Sequence, residues 1–269
     1  MQKIRLVATD LDGTLFYDRF HIAPADRAML DRLRGEGIVC CAATGRELAA
    51  VRPAFDRLGL WPCFDYVIHS GGAGIYTVAT GMDEQRGLLS AEQLRAIIAR
   101  YRDADIALVL PMDGHFYASR RTAILDRECA LLGYELEVYP DLRAVVTHPH
   151  NKIVMNGTRE QVEHMLPIVL ADPDPCCRWH RSHDNYIDCY ARGVDKGAAL
   201  TALCERLGFS AAEAMAIGDN ENDLQLLAAA GIAGCPGDGA DHAKAAADYV
   251  ACPAEQGAFA DFCAHYLFA

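Results

Sequence analysis

At 269 residues the chain is long enough for one large domain or two smaller ones around a filled core, and a composition of 52% hydrophobic and 23% charged residues is that of an ordinary globular protein. A formal net charge of −12, with no cluster of Lys and Arg, argues against nucleic acid or an anionic membrane surface as the main partner. No apolar stretch approaches a transmembrane span, and the run bounded by Lys3, Arg5 and Asp10 is too short for a secretory signal, so a cytoplasmic protein is expected.

Strand and helix alternate from the start. Leu6 to Asp10 reads as a strand, Pro24 to Gly35 as a helix, Ile38 to Ala43 as a buried strand, Arg46 to Leu58 as a helix and Tyr66 to His69 as a short strand. From Met82 the pattern changes. Short strands at Ile106 to Leu110, His115 to Ala118, Lys152 to Met155 and Arg178 to Ser182 are interleaved with helices that include Ala91 to Arg102 and Arg159 to Leu170. The alternation returns with Ala214 to Ile217 as strand, Asp223 to Ala230 as helix, Ile232 to Gly234 as strand and Ala240 to Ala247 as helix. This order implies an α/β fold, a Rossmann-like doubly wound parallel sheet covered on both faces, formed by residues 1–81 and 186–269. Residues 82–185 are expected to form a smaller α+β domain inserted into it, with charged, turn-rich joints at Gly81 to Glu84 and His183 to Asn185.

In such sheets sites form beyond the carboxyl ends of the strands, where Asp10, Thr44 and Asp219 all fall. Asp10 and Asp12 stand two apart where the first apolar run gives out, so on an extended chain their carboxylates project to one face and share one small volume. Their repulsion is relieved by a hard cation such as Mg²⁺ between them, or by one carboxyl staying protonated and serving as an acid. The competing reading is an Asp-Gly turn closing a surface strand. Thr44, Gly45 and Arg46 follow a strand and precede a helix, which suits either an anion site of hydroxyl and free N–H groups or a plain turn with a cap. Lys196 sits at the start of the helix running to Leu207, where a cation opposes the helix dipole unless it meets an anion; a solvated surface lysine is the alternative. Gly218 to Asp223 (GDNEND) lead from an apolar strand into a helix, with more acidic and amide groups than capping requires. Asp219 reads as a metal ligand, and Asp223 as a group able to reach a metal-bound water or the Lys196 ammonium.

DLDGT at Asp10 to Thr14, TGR at Thr44 to Arg46, DKG at Asp195 to Gly197 and GDNEND at Gly218 to Asp223 resemble, in order and spacing, the phosphatases of the haloacid dehalogenase superfamily. The long insert between the second and third motifs resembles the Cof-like branch, whose α/β cap at that place selects the substrate and whose members include sugar-phosphate, sucrose-phosphate and phosphomannomutase-type enzymes. Two loops depart from the branch: Gly71, Gly72 and Ala73 stand where an NGA-like loop is usual, and Cys235 to Gly239 where a glycine-asparagine turn is usual. The resemblance implies that Asp10 is a nucleophile forming an aspartyl-phosphate, and that Asp12 protonates the leaving alkoxide and then activates water. It further implies Mg²⁺ held by Asp10, the Asp12 backbone carbonyl and Asp219, with Thr44, Gly45, Lys196 and Asn222 binding phosphate and Asp223 orienting them. The partner is then a small phosphorylated metabolite, and the leading activity is Mg²⁺-dependent hydrolysis of a phosphate monoester. A phosphotransferase or mutase of the same chemistry and a non-catalytic sugar-phosphate binding module are the alternatives.

Fewer chemical signals lie elsewhere. Arg46 and the trio Arg181, His183 and Asn185, which point alike on an extended chain, are candidates for substrate contact, with a solvated sheet face as the favoured alternative for the trio. Cys176, Cys177, His180 and His183 do not make a zinc site, because alternation sends them to opposite faces. Asp113, Gly114 and His115 read as a hairpin turn, Phe259, Phe262 and Tyr266 as the core face of a helix, and the eleven cysteines, without CxxC spacing, as reduced and mostly buried thiols.

Overall fold

A computed structural model describes residues 3–18, 20–112, 114–171 and 176–268, so Asp113 lies outside the described residues. The chain divides into two compact units, Met1–Glu84 with Asp195–Ala269, and Gln85–Val194. The return crossing therefore falls later than the joint expected after Asn185. His183 to Asn185 is the turn of a hairpin inside the second unit, where Tyr186–Ala191 pairs antiparallel with both Cys177–His183 and Lys152–Asn156.

The first unit is built on an eight-stranded sheet in the order Tyr249–Val250, Ile232–Cys235, Ala214–Ile217, Leu6–Thr9, Val39–Ala43, Tyr66–His69, Gly74–Thr77 and Met82–Gln85. From Tyr249–Val250 to Tyr66–His69 every neighbouring pair is parallel, and Gly74–Thr77 turns back antiparallel. Successive residues feed opposite faces. Val7, Cys40, Ala42, Met215 and Ile217 pack against the helices Pro24–Gly35, Leu48–Leu58 and Ala258–Leu267, through side chains such as Leu30, Phe55 and Phe262. Leu6, Ala8, Cys41, Ala43, Ala214 and Ala216 pack against Lys196–Arg206 and Leu224–Ala229, through Leu200, Leu203 and Leu226. Apolar residues on both faces of a strand require helices on both sides, which is why the runs read as continuous rather than alternating. Strand order reverses at Leu6–Thr9, which has Ala214–Ile217 on one side and Val39–Ala43 on the other. The carboxyl end of that strand is the switch point where α/β sheets open a crevice.

One buried acid joins the two ends of this unit. Asp26, in the first turn of Pro24–Gly35, is fully buried, and its Oδ1 accepts a hydrogen bond of 2.8 Å from the Ala260 N–H at the start of the C-terminal helix. Oδ2 has no partner among the described residues, and burial raises the carboxyl pKa to about 7 despite that bond. Nine of the eleven cysteines are buried. Burial, followed by the charge of Asp65, pushes the Cys40 thiol up to about 12, and burial, followed by Asp219, does the same for Cys235.

The second unit is a six-stranded mixed sheet in the order Glu135–Val138, His115–Ala118, Ala107–Met112, Lys152–Asn156, Tyr186–Ala191 and Cys177–His183, with one parallel pair, His115–Ala118 with Glu135–Val138. Ala91–Tyr101 and Arg159–Leu170 cover one face through Leu94, Ile97, Ile98, Val162 and Met165. Ala123–Leu132, a helix the periodicity did not expose, covers part of the other with Leu125. No described helix in either unit is long and apolar enough to cross a membrane.

Candidate active site

Asp10 stands directly beyond the switch-point strand. Its N–H donates to the Ile217 carbonyl at 2.9 Å, which locks it beside the start of the Gly218 loop. The carboxylate is 4% exposed and accepts a hydrogen bond from Lys196 Nζ at 2.6 Å, and the same ammonium donates to Asp223 Oδ1 at 2.6 Å. Lys196 opens a helix whose N-cap is Asp195, with the cap carboxylate accepting from the Ala198 N–H at 2.7 Å. The neighbouring Gly197 lets that helix rest on the next one, because a Cβ there would lie 2.1 Å from the Gln225 carbonyl. This contact sets Lys196 beside Asp223. The second oxygen of Asp223 accepts from the N–H groups of Asp219 at 3.1 Å and Asn220 at 3.2 Å, so one carboxylate both holds the ammonium and shapes the loop.

Asp219 completes the cluster. Its Oδ1 accepts from the Thr14 hydroxyl at 3.0 Å, and Gly13, at φ +84, leaves the space its carboxylate needs, since a Cβ would sit 2.6 Å from Oδ2. Two carboxylates therefore hold one ammonium, and a third, that of Asp219, lies beside them. Burial first, and then Asp223, hold the Asp10 pKa well above the usual carboxylate range against the pull of Lys196. Burial and then Asp223 raise Asp219 to about 7, opposed by the Thr14 hydrogen bond. Burial disfavours the Lys196 ammonium, but Asp10 and Asp223 outweigh it and keep the side chain charged. One oxygen from each of Asp10, Asp219 and Asp223 lies within 4.8 Å of the others, the only grouping of this kind among the described residues. Hard oxygen donors, burial and a shortage of positive charge together fit a small divalent cation.

Asp12 departs from the expected geometry. The strand ends at Thr9, so Asp12 lies in the following turn rather than two places along an extended chain, and its carboxylate does not join the acidic cluster. It is half-exposed and forms a bidentate pair with Arg46, with Nε to Oδ2 at 2.7 Å and Nη2 to Oδ1 at 2.5 Å. The third arm of the guanidinium, Nη1, is buried without a partner among the described residues. Thr44 is buried at the end of Val39–Ala43, its N–H donating to the Ile68 carbonyl at 2.8 Å and its hydroxyl accepting from the Arg46 N–H at 3.1 Å. A Cβ on Gly45 would lie 3.9 Å from Asn222 Nδ2, so the second and fourth motifs meet at one point. The residues from all four motifs are thereby collected around the end of Leu6–Thr9.

Arg181, His183 and Asn185 belong to the second unit. A bulge between Arg181 and His183 breaks the alternation that would have pointed them alike. Arg181 pairs with Asp184 at 2.7 Å, His183 Nδ1 accepts from the Asn185 N–H at 3.3 Å, and Asn185 Nδ2 donates to the Gly157 carbonyl at 2.9 Å. Three further participants carried weak signals in the sequence: the Thr14 hydroxyl on Asp219, the Arg46 clasp on Asp12, and His69, whose imidazole is buried after the third strand. A polar residue ending an apolar run, followed by Ser70, Gly71 and Gly72, was the available clue to the last.

Comparison with known proteins identifies the family of the chain. The family model of the haloacid dehalogenase-like hydrolases matches residues 7–263, and the chain belongs to that family. An HMP-PP phosphatase of Cronobacter sakazakii is 28% identical over 242 residues, covering 84% of this chain and 82% of that protein. The 5-amino-6-(5-phospho-D-ribitylamino)uracil phosphatase YcsE of Bacillus subtilis is 24% identical over 248 residues, covering 92% and 89%. Among solved structures, a haloacid dehalogenase-like hydrolase from Bacteroides thetaiotaomicron superposes with a TM-score of 0.84 at 22% identity over 98% of this chain and 99% of that one. A sugar phosphatase of subclass IIB gives 0.83 at 20% identity over 97% and 98%, which shows the shared fold.

Proposed function

We propose that this haloacid dehalogenase-like hydrolase is a Mg²⁺-dependent cytoplasmic phosphatase of a small phosphorylated metabolite, with Asp10 as the nucleophile. The observation that carries the reading is the placement of Asp10 at the switch point, buried and hydrogen-bonded to Lys196 within a cluster of three carboxylates. The free Asp10 oxygen attacks phosphorus as the ester P–O bond breaks, and the leaving alkoxide takes a proton from Asp12. In the second half, Asp12 takes a proton from the water that attacks the acyl phosphate, releasing orthophosphate and restoring the Asp10 carboxylate. Lys196, the Thr44 hydroxyl, the Gly45 backbone and Asn222 bind the phosphoryl oxygens, and Asp223 holds Lys196 in place. Asp10, Asp219 and the Asp12 backbone carbonyl would hold Mg²⁺, whose charge would offset that developing on the phosphoryl group.

Arg46 enters as a substrate-facing group on the strength of its buried, unpartnered Nη1. Its clasp occupies both oxygens of Asp12, so delivery of a proton to the leaving group requires Arg46 to exchange Asp12 for an oxygen of the substrate. The inserted unit is the source of substrate discrimination in this reading. The names of the relatives, one phosphatase of a ribitylaminouracil phosphate and one HMP-PP phosphatase, direct the screen toward phosphorylated sugars, polyols and heterocycles. The deciding experiment is orthophosphate release from such a panel with Mg²⁺, repeated with Asp10→Asn, which should bind substrate but lose turnover by several orders of magnitude. Substantial turnover in that variant would remove Asp10 as nucleophile.

A further inference from the structure

The turn after the strand Tyr66–His69 is a constrained stretch of backbone near the site. Ser70 has φ +48, the only positive φ at a non-glycine among the described residues, and Gly71 and Gly72 follow at +64 and +105. Side chains disfavour that region, and where it occurs it is held by its surroundings, often beside functional groups. Here the turn touches two of the phosphate-binding segments directly. The Ser70 N–H donates to the Arg46 carbonyl at 2.8 Å, and the Gly71 N–H to the Thr44 carbonyl at 3.0 Å. Gly72 lies flat against the third motif, with a Cβ at that place falling 2.2 Å from the Asp195 carbonyl and 3.0 Å from the Lys196 nitrogen. A shift of the turn therefore shifts the loops carrying Thr44 and Lys196.

His69 holds the turn from behind. Its imidazole is 2% exposed, Nε2 lies 2.8 Å from Asp83 Oδ1, and Nδ1 lies 3.2 Å from the Ser70 hydroxyl. With the ring proton on Nε2, Asp83 accepts it and Nδ1 is left to accept from the Ser70 hydroxyl. The space for the ring is supplied by Gly74, where any Cβ would lie 2.1 Å from Nε2. Asp83 sits on the edge strand Met82–Gln85, the last element of the first unit before the outgoing crossing, and Asp195 is the first residue after the return.

We propose that His69 is a positioning residue of the active site: the chain Asp83–His69–Ser70 fixes the left-handed turn at Ser70–Gly72, and through it the relative placement of Thr44 and Lys196. The inference rests on the phosphatase reading, because it assigns those two groups to the phosphate. It asks nothing of the acidic cluster of Asp10, Asp219 and Asp223.

The test uses the whole chain and the variants Ser70→Ala, which removes the hydroxyl, and His69→Gln, whose amide falls at the place of Nε2, where it can donate to Asp83, and leaves the place of Nδ1 beside Ser70 without an acceptor. Turnover of an aryl phosphate and of the best sugar phosphate is measured, together with orthophosphate affinity by calorimetry, Mg²⁺ affinity and melting temperature. Both variants should lose about 10²-fold in kcat/KM, the scale of an ångström-level misplacement, and should bind orthophosphate more weakly. Mg²⁺ affinity and melting temperature should stay near wild type, and the double variant should be no worse than either single one. His69→Asn, whose amide oxygen can accept from Ser70, should recover part of the loss. Wild-type kinetics in the two single variants, additive losses, or a parallel fall in Mg²⁺ affinity would overturn the assignment. A wild-type protein that releases no orthophosphate from any ester of the panel would instead refute the phosphatase reading itself and remove the assignment's premise.

Discussion

Replacing Asp26 by Asn should flatten the dependence of stability on pH. The carboxyl is fully buried, keeps only the Ala260 N–H on one oxygen, and has its pKa raised to about 7 by burial. In the unfolded chain it titrates near 4, so at intermediate pH the folded state holds a proton that the unfolded state has released. The stabilising contribution is thus full below pH 4, falls as pH rises, and is lost once pH passes the folded value near 7. Each pH unit in that window costs about 1.4 kcal/mol, and between pH 5 and 8 the total is roughly 3 kcal/mol. Asparagine is isosteric with the protonated acid and can still accept from Ala260, so the variant should match wild type near pH 5. At pH 8 it should be the more stable protein, by several degrees in melting temperature at about 2–4 °C per kcal/mol. Urea titrations of both proteins at pH 5, 6, 7 and 8 isolate the effect, because the other titrating groups cancel in the difference. Parallel curves for the two proteins would show that Asp26 is already ionised in the fold, and the burial argument would fail.

The acidic cluster yields two more tests. EDTA should abolish activity and Mg²⁺ restore it, and Asp219→Ala should need far more Mg²⁺ for half-maximal rate, because it removes one of three clustered carboxylates; an unchanged Mg²⁺ requirement would take Asp219 out of the site. Gly13→Ala combines a strained φ of +84 with a Cβ 2.6 Å from the Asp219 carboxylate, so it should lower kcat by at least about 10²-fold. Near-normal turnover in that variant would mean that the loop can yield without displacing Asp219.

The segments that meet at the candidate site were legible because each apolar strand ends in polar, acidic groups. Leu6, Val7 and Ala8 give way to Asp10, and Ala214 to Ile217 to Asp219, and parallel pairing brings those ends together. What the pattern could not carry was direction after the strand stopped. Asp12 lies three residues beyond Thr9, the last of the strand, where alternation no longer holds, and it turns to Arg46 instead of joining Asp10. The same limit misplaced the second joint. His183, Asp184 and Asn185 have the composition of a linker but form a hairpin turn, and the strand Tyr186–Ala191 beyond them completes the inserted sheet. The bulge at Arg181 and His183 has no signature in the polar stretch His180 to His183. His69 escaped because its partner Asp83 is on another strand, and a lone histidine closing an apolar run gives no sign of it.

The distribution of thiols makes the protein its own reporter of opening. Thiolate is the species that reacts with alkylating reagents, and a thiol held near pKa 12, as Cys40 and Cys235 are, is almost wholly unreactive at neutral pH until water reaches it. Buried thiols are present in both units, with Cys40, Cys204 and Cys263 in the first and Cys177 and Cys189 in the second, while Cys176 is exposed from the outset. Pulsed alkylation read by peptide mass would therefore begin with Cys176 as an internal zero. It would then record a separate rate for each buried thiol, so that breathing of the catalytic sheet could be told from breathing of the inserted one without introducing a single label.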